Sequence, residues 1–215
     1  LALAYQERNS RYDLAAVETK AEPNGDGFLL SGQKIQVLDG HVADRFIVAA
    51  RTSGSSGDTD GISLFLVDAG APGVTAKRTI MVDTRNAANV TFENVQVPAA
   101  ALLGPLDNGY PVLEKVLDIA RIGLAAEMLG SVQEAFERTL AYLKERSQFG
   151  VLIGTFQALQ HRAGLMFGEI QLCKSVVLKA LQTIDEGNQE LVPKIAALAK
   201  GKVSETIKLV TCEAI

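Results

Sequence analysis

The hydrophobic period of this chain changes once, near residue 105, and that change limits what it can fold into. Before it, short apolar runs alternate with turn residues. Phe28–Leu30 and Lys34–Leu38 flank an expected Ser31-Gly32 turn. Phe46–Ala50 follows Asp44-Arg45, and Ile62–Val67 follows Gly61. Val90, Phe92, Val95 and Val97 alternate with polar residues, with one break in register at Glu93-Asn94. β-Branched and aromatic runs bounded by Gly, Asn, Asp and Pro are a strand pattern. Several such strands in about 100 residues predict a barrel or sandwich. Thr52–Gly61 is rich in Ser, Gly and Asp and reads as an exposed loop.

After Pro105 the spacing becomes helical. Leu113, Val116, Leu117, Ala120, Leu124 and Met128 predict one face of a long helix, continued by Val132, Phe136, Leu140 and Leu143 to an end near Arg146–Gly150. A second helix is expected from Phe156 to about Glu186. Its inner face is Leu159, Ala163, Met166, Phe167, Ile170, Cys173, Val177, Leu181 and Ile184, and Gly187-Asn188 stop it. Pro193 fits the first turn of a third helix, with Ile195, Leu198, Ala199, Val203, Ile207 and Val210 inward. Three antiparallel helices with short connections make a bundle. The expected class is therefore α+β, with a strand-rich domain at residues 1–105 and helices at 106–215.

Composition excludes some functions. A net charge of −4 advertises no nucleic-acid surface. No apolar run reaches the ~18 residues of a membrane span. Cys173 and Cys212 lack metal-ligand spacing and read as reduced thiols, so the expected location is cytoplasmic. Phosphate-loop, dinucleotide-glycine, nucleophile-elbow and HExxH signatures are missing. The chain begins without Met inside an apolar stretch and ends inside a helical pattern, so it reads as part of something longer. The connection Arg146, Gln148, Phe149, Gly150, Ile153, Phe156, Gln157, Gln160 and His161 has two readings. Arg146 either complements a helix C-terminus or aims its guanidinium at a phosphate, with Gln157 bonding the same ligand.

That connection, RSQFGVLIGTFQALQH, resembles the R-x-x-F-G-x-x-I-x-x-F-Q-x-x-Q string of the acyl-CoA dehydrogenase family. GDGFLLSGQKIQVLDG is similar to the family's G-x-K-x-W-I-T-N-G segment. PGVTAKR, VTFENVQVPAAALLG and NGYPVLEKVLDIARIGLAAEMLG follow in the family's order. The resemblance implies a β-barrel middle domain and then a helical bundle truncated at its C-terminal end, with the family's amino-terminal helical domain preceding Leu1. It implies FAD, an acyl-CoA substrate, an electron-transfer flavoprotein or similar acceptor, and a homo- or heterotetramer. Tyr5, Gln6, Tyr12, Gln36, Val37, Leu38, Arg146, Phe149 and Gln157 match cofactor-binding positions. Tyr12, Asp118 and Arg121 match positions near the acyl-CoA.

The family's T-E-P-G-x-G-S-D loop reads QERNSRYD here, keeping Glu7 and Asp13 and replacing glycines by Asn9 and Arg11. The Trp and Thr beside the flavin are Gln36 and Leu38. The family's base, a Glu beyond a Gly-Gly-x-Gly loop, is expected past Ile215. Its alternative position is Ala120, so no catalytic residue is nominated. The implied activity is α,β-dehydrogenation of an acyl-CoA thioester. The alternatives are a non-catalytic partner subunit, and a flavin monooxygenase or nitroalkane oxidase on the same fold.

Overall fold

A computed structural model describes residues 1–215. The chain forms two compact units, Leu1–Glu114 and Lys115–Ile215. The strands are β1 (Ala2–Ala4), β2 (Lys20–Asn24), β3 (Gly27–Leu38), β4 (Arg45–Arg51), β5 (Ile62–Asp68), β6 (Val74–Ile80), β7 (Asn86–Pro98) and β8 (Leu102–Leu103). They make one mixed sheet in the order β6-β7-β3-β2-β4-β5-β8, with β1 parallel to β4. The sheet does not close, which corrects the expected barrel. β6 pairs with β7 alone, and the two-residue β8 pairs with β5 alone, so neither end strand meets another. One face carries the core, where Leu30, Phe46, Val48, Phe65, Val90, Phe92 and Val95 are fully or almost fully buried. Phe28 meets Phe65, and Phe46 meets Phe92, in edge-to-face contacts with centroids 5.0 and 6.3 Å apart.

The expected Ser31-Gly32 turn is not a turn. β3 runs through it and is bulged against β7, between the pairs Leu30–Val95 and Gly32–Phe92. The extra residue lies at Glu93-Asn94, where the sequence broke its alternation, and Asn94 has φ 50°. Its N–H donates to Ser31 Oγ at 3.2 Å. Gly32 is required here, because a Cβ would lie 2.5 Å from Thr19 Oγ1 and 2.7 Å from Thr19 Cα. A second shift, between Lys34–Val90 and Val37–Ala88, puts the extra residue on β3 itself. Gln36 occupies it at φ 50°, and its N–H donates to Asn89 Oδ1 at 3.2 Å. Bulges of this kind re-aim side chains.

Arg51 organises the segments beside the sheet. It is buried, and its guanidinium donates to the carbonyls of Ala15 (2.8 Å), Val17 (3.4 Å), Asp58 (3.1 Å) and Asp60 (2.7 Å). One side chain thereby ties the approach to β2 to the exposed loop at residues 52–61.

The helices are α1 (Tyr110–Glu145), α2 (Gln157–Asp185) and α3 (Val192–Glu213). Between α1 and α2 stands a two-stranded hairpin, β9 (Ser147–Gln148) and β10 (Val151–Leu152). On α2 and α3 the expected stripe is largely the buried one: Met166, Ile170, Cys173 and Val177, with Ile195, Ala199, Val203 and Val210. Phe167, Leu181 and Leu198 from that stripe are exposed instead. On α1 the buried residues are Leu113, Ile122, Ala125, Val132 and Phe136, while Val116, Ala120 and Leu124 face outward. α1 is apolar on more than one side, so its sequence does not single out the face that packs.

Replacing Arg51 by Met strands four carbonyls that now share one cation. Unit 1 should lose about 2–4 kcal/mol, read from denaturant unfolding of wild type and variant. An unchanged midpoint would mean that solvent satisfies those carbonyls equally well.

Candidate functional site

In unit 1 the candidate residues come together where the segment after β1 meets β3. β1 ends at Ala4, and its ladder is with β4. Tyr5, Gln6 and Glu7 then cross to β3 by other contacts. Ile35 N–H donates to the Gln6 carbonyl at 2.8 Å. The Lys34 ammonium donates to the Tyr5 carbonyl at 3.3 Å and to Glu7 Oε1 at 2.6 Å. Glu7 also accepts from the N–H groups of Glu18 (2.8 Å) and Thr19 (3.0 Å). Ser10 closes the following turn: its hydroxyl accepts from Glu7 N–H at 3.0 Å and donates to the Glu7 carbonyl at 2.9 Å. Asp13 Oδ1 accepts from Ala15 N–H at 2.9 Å.

This arrangement sorts the sequence-derived candidates. Tyr5 and Gln6 are partly exposed beside β3. Gln36 and Leu38 project outward on either side of Val37. Val37 is a core residue, 2% exposed, so only its backbone is available to a ligand. Tyr12 stands at the tip of the loop, 97% exposed, next to Arg11 at φ 44°. An open cleft of about 470 Å³ lies behind the turn, lined by Glu7, Arg8, Asn9, Glu18, Thr19, Gly32 and Gln33.

The Glu7–Lys34 pair was absent from the sequence-derived candidates. Lys34 is wholly buried, and the Glu7 side chain is 6% exposed. Burial lowers the Lys34 ammonium more than the charge and hydrogen bond of Glu7 raise it, leaving it at about 8 instead of 10.5. Burial pushes the Glu7 carboxyl up. The Lys34 charge, with hydrogen bonds from Lys34 and Thr19, outweighs that and leaves it below 4.5. The available signal was register: position 34 falls on the inward face of β3, where a lysine needs a partner.

In unit 2 the connection between α1 and α2 is a hydrogen-bonded hairpin in place of a simple helix stop. Phe149 (φ 54°) and Gly150 (φ 81°) are the central residues of the hairpin turn, both with positive φ as in a type I′ turn. A phenylalanine in that region costs about 1–2 kcal/mol. Its ring is 89% exposed and meets Phe156 edge-to-face at 6.4 Å. The hairpin is fixed at its base by Ile153 N–H to the Arg146 carbonyl (2.8 Å) and Gln160 Nε2 to the Gly154 carbonyl (2.9 Å). The Arg146 and Gln157 side chains are exposed. On α1, Asp118 is buried and accepts from Arg121 Nη1 at 2.5 Å, one turn away. Ala120, which lies between them in sequence, carries no functional group.

An exposed cation, an exposed aromatic ring and an exposed amide on one stiff connection suit a ligand with phosphate groups and a flat ring system. Polar Tyr5, Gln6 and Gln36 beside apolar Leu38 suit the edge of a fused heterocycle. The donors present therefore fit FAD. No group of three or more His, Cys, Asp or Glu is placed to hold a metal, and no helix is long and apolar enough to cross a membrane.

One open mixed sheet followed by three helices defines an α+β class. The family model described as acyl-CoA dehydrogenase, middle domain, matches residues 2–95, and that for the acyl-CoA dehydrogenase C-terminal domain matches residues 107–215. The chain belongs to the acyl-CoA dehydrogenase family. It is 32% identical over its full length to the short/branched chain specific acyl-CoA dehydrogenase of Bos taurus mitochondria, covering 50% of that protein. The butyryl-CoA dehydrogenase structure from Megasphaera elsdenii superposes with a TM-score of 0.93 at 33% identity, over 99% of this chain and 56% of that one. An FAD complex of PigA does so at 0.93 and 28%, over 100% and 56%. The chain thus spans about half the length of the relatives it matches.

Acid should weaken unit 1 through Glu7. Its depressed carboxyl contributes stability that is complete above pH 4.5 and is lost as pH falls through the lowered value. Lys34 runs the other way: the unfolded chain holds that proton up to about 10.5 and the fold only to about 8, so its contribution rises between them. Lys34→Met leaves a buried carboxylate without its cation and should cost about 3–5 kcal/mol, whereas Glu7→Gln/Lys34→Met should recover much of that loss. Urea unfolding of the three proteins across pH 3–10 reads both effects, and a double variant less stable than Lys34→Met would contradict the second.

Proposed function

We propose that this chain is part of an FAD-dependent acyl-CoA dehydrogenase, with flavin-bordering residues on its sheet and, on its α1–α2 connection, residues that reach the cofactor of a neighbouring subunit. The observation that carries this reading is the hairpin. It holds Phe149 in a strained conformation, leaves it facing solvent, and leaves the Arg146 guanidinium exposed, without a hydrogen-bond or ion-pair partner in the chain. Strain retained at an exposed position is a mark of a ligand contact. FAD supplies the hydride acceptor of an α,β-dehydrogenation.

The chain's own residues bind and orient in this scheme. Arg146 and Gln157 hold phosphate and polar groups of the cofactor, in the family's manner that of a neighbouring subunit in a homo- or heterotetramer. Phe149 packs on it. Tyr5, Gln6, Gln36, Leu38 and the Val37 backbone border the flavin, and Tyr12 lies where flavin and substrate meet. Arg121, steered by buried Asp118, contacts the acyl-CoA. No residue here is assigned as the base, which must reach the α-carbon from the side opposite the flavin. An electron-transfer flavoprotein or similar acceptor would take the electrons. Two free thiols, Cys173 and Cys212, fit a reducing compartment such as the cytoplasm.

A second reading, a partner subunit that completes a neighbour's flavin site without turnover of its own, is favoured by the Gln36 bulge. It presents an amide where the family places an indole.

The full-length protein should be yellow as purified or after reconstitution, and should bleach on anaerobic addition of acyl-CoA. A flavin-containing protein that bleaches with no acyl-CoA favours the partner reading. Protein that takes up no FAD, alone or with its partner, overturns both. Phe149→Gly should leave the stability of unit 2 within about 1 kcal/mol, since it relieves the positive φ but loosens the unfolded chain. The same variant should weaken FAD binding, as should Arg146→Ala. Fluorescence titration with FAD beside a thermal melt separates the two effects.

A further inference from the structure

Tyr5, Gln6 and Glu7 have no strand ladder to β3, yet each is tied to one of two consecutive residues of it, Lys34 or Ile35. Lys34 Nζ holds the Tyr5 carbonyl (3.3 Å) and the Glu7 carboxylate (2.6 Å), while Ile35 N–H holds the Gln6 carbonyl (2.8 Å). The next residue of β3 is Gln36, the outward bulge. Glu7 extends the tie to the start of β2 through Glu18 and Thr19 N–H. The same glutamate begins the Ser10-capped turn that leads to Tyr12.

We propose that Glu7 and Lys34 are positioning residues for the cofactor edge, fixing the Tyr5–Gln6 segment against the Gln36 bulge without touching the ligand themselves. This rests on the flavin reading of the preceding subsection and deepens it. Packing alone does not account for the pair. Two apolar side chains of similar volume fill a core at least as well as a desolvated ion pair. What apolar groups lack is direction. Lys34 points its donors at a particular carbonyl and a particular carboxylate oxygen, and Glu7 offers one oxygen to each of two neighbouring N–H groups. That geometry sets where the Tyr5 and Gln6 peptides lie, and with them the turn that ends at Tyr12. Supports of this kind hold a binding group within a fraction of an ångström of its working place.

The test uses the full-length protein and the variant Glu7→Gln/Lys34→Met, with Lys34→Met alone beside it. Three readouts are needed: thermal stability, FAD affinity by fluorescence titration, and the fine structure of the bound flavin's visible band. The double variant should melt close to wild type, yet bind FAD about tenfold more weakly, the equivalent of one ordinary hydrogen bond. Its flavin band should lose the resolved shoulders of a rigidly held ring. Lys34→Met should lose both stability and affinity. A double variant that regains wild-type stability together with wild-type affinity and spectrum overturns the proposal and leaves the pair a structural one. Should the double variant also unfold, Glu7→Gln titrated under conditions where it remains folded decides: unchanged affinity and spectrum overturn the proposal. Wild-type protein that takes up no FAD overturns the flavin reading itself, and this inference with it.

Discussion

The ammonium of Lys34 sits inside a β-sheet with no exposure to water, and much of the geometry of unit 1 follows from how that charge is neutralised. A buried cation must have an anion and filled hydrogen-bonding positions. Glu7 is the anion, brought in from 27 residues upstream. To reach Lys34, the chain after β1 must leave its partner β4 and cross to β3. The crossing puts Tyr5 and Gln6 at the sheet edge, and the spare oxygen of Glu7 collects the chain again at Glu18. Arg51 meets the same need from the other side, with four carbonyls in place of a carboxylate. Two buried cations thus discipline segments that have no regular secondary structure.

The sheet and the facing of Gln36–Leu38 are connected by arithmetic in the β3–β7 ladder. A side-chain period of two means that one inserted residue reverses the facing of everything after it. The first bulge inserts a residue in β7 and the second inserts one in β3, so the ladder register returns to its starting value. Val37 therefore stays in the core while Gln36 and Leu38 face out. Without the second bulge, the run Ile35–Leu38 would present a different set of side chains to the outside. The departure of this chain from its family at Gln36 and Leu38 thus falls on outward positions, where substitution leaves the core intact.

The strand-then-helix order was legible because period is a local property. The break at Glu93-Asn94 was legible too, as a lapse in alternation. The same bulge viewed from β3 was misread as a Ser31-Gly32 turn, since a glycine that permits close approach to Thr19 looks in sequence like a glycine that reverses the chain. The failure of the sheet to close was not legible, because closure depends on pairing between β6 and β8, about 20 residues apart, and no local pattern reports it. The outward side of α1 was misjudged for a related reason: with Val116, Leu124 and Ile122 all apolar, only the neighbouring helices decide which is buried. Glu7 and Lys34 both stood in the matched family strings, but their pairing was not legible. An ion pair spanning 27 residues leaves no spacing signal, only the oddity of a lysine on an inward register.

The α1–α2 connection shows where strain and recognition coincide. A helix can end at a glycine alone, and Gly150 offers one, so a simple stop at that residue was available to this sequence. The chain instead ends α1 at Glu145 and turns through a hairpin whose first central residue is a phenylalanine at φ 54°. Asparagine or glycine would occupy that place with less strain. Burial does not explain the choice, because the ring is mostly in water and its one aromatic neighbour is Phe156. Nor does local bonding, since the hairpin is held by Ile153 N–H and Gln160, neither of which involves the ring. An exposed ring held at positive φ on a hairpin that also carries an exposed guanidinium is the arrangement the proposed contact with a flat, phosphate-bearing ligand would use.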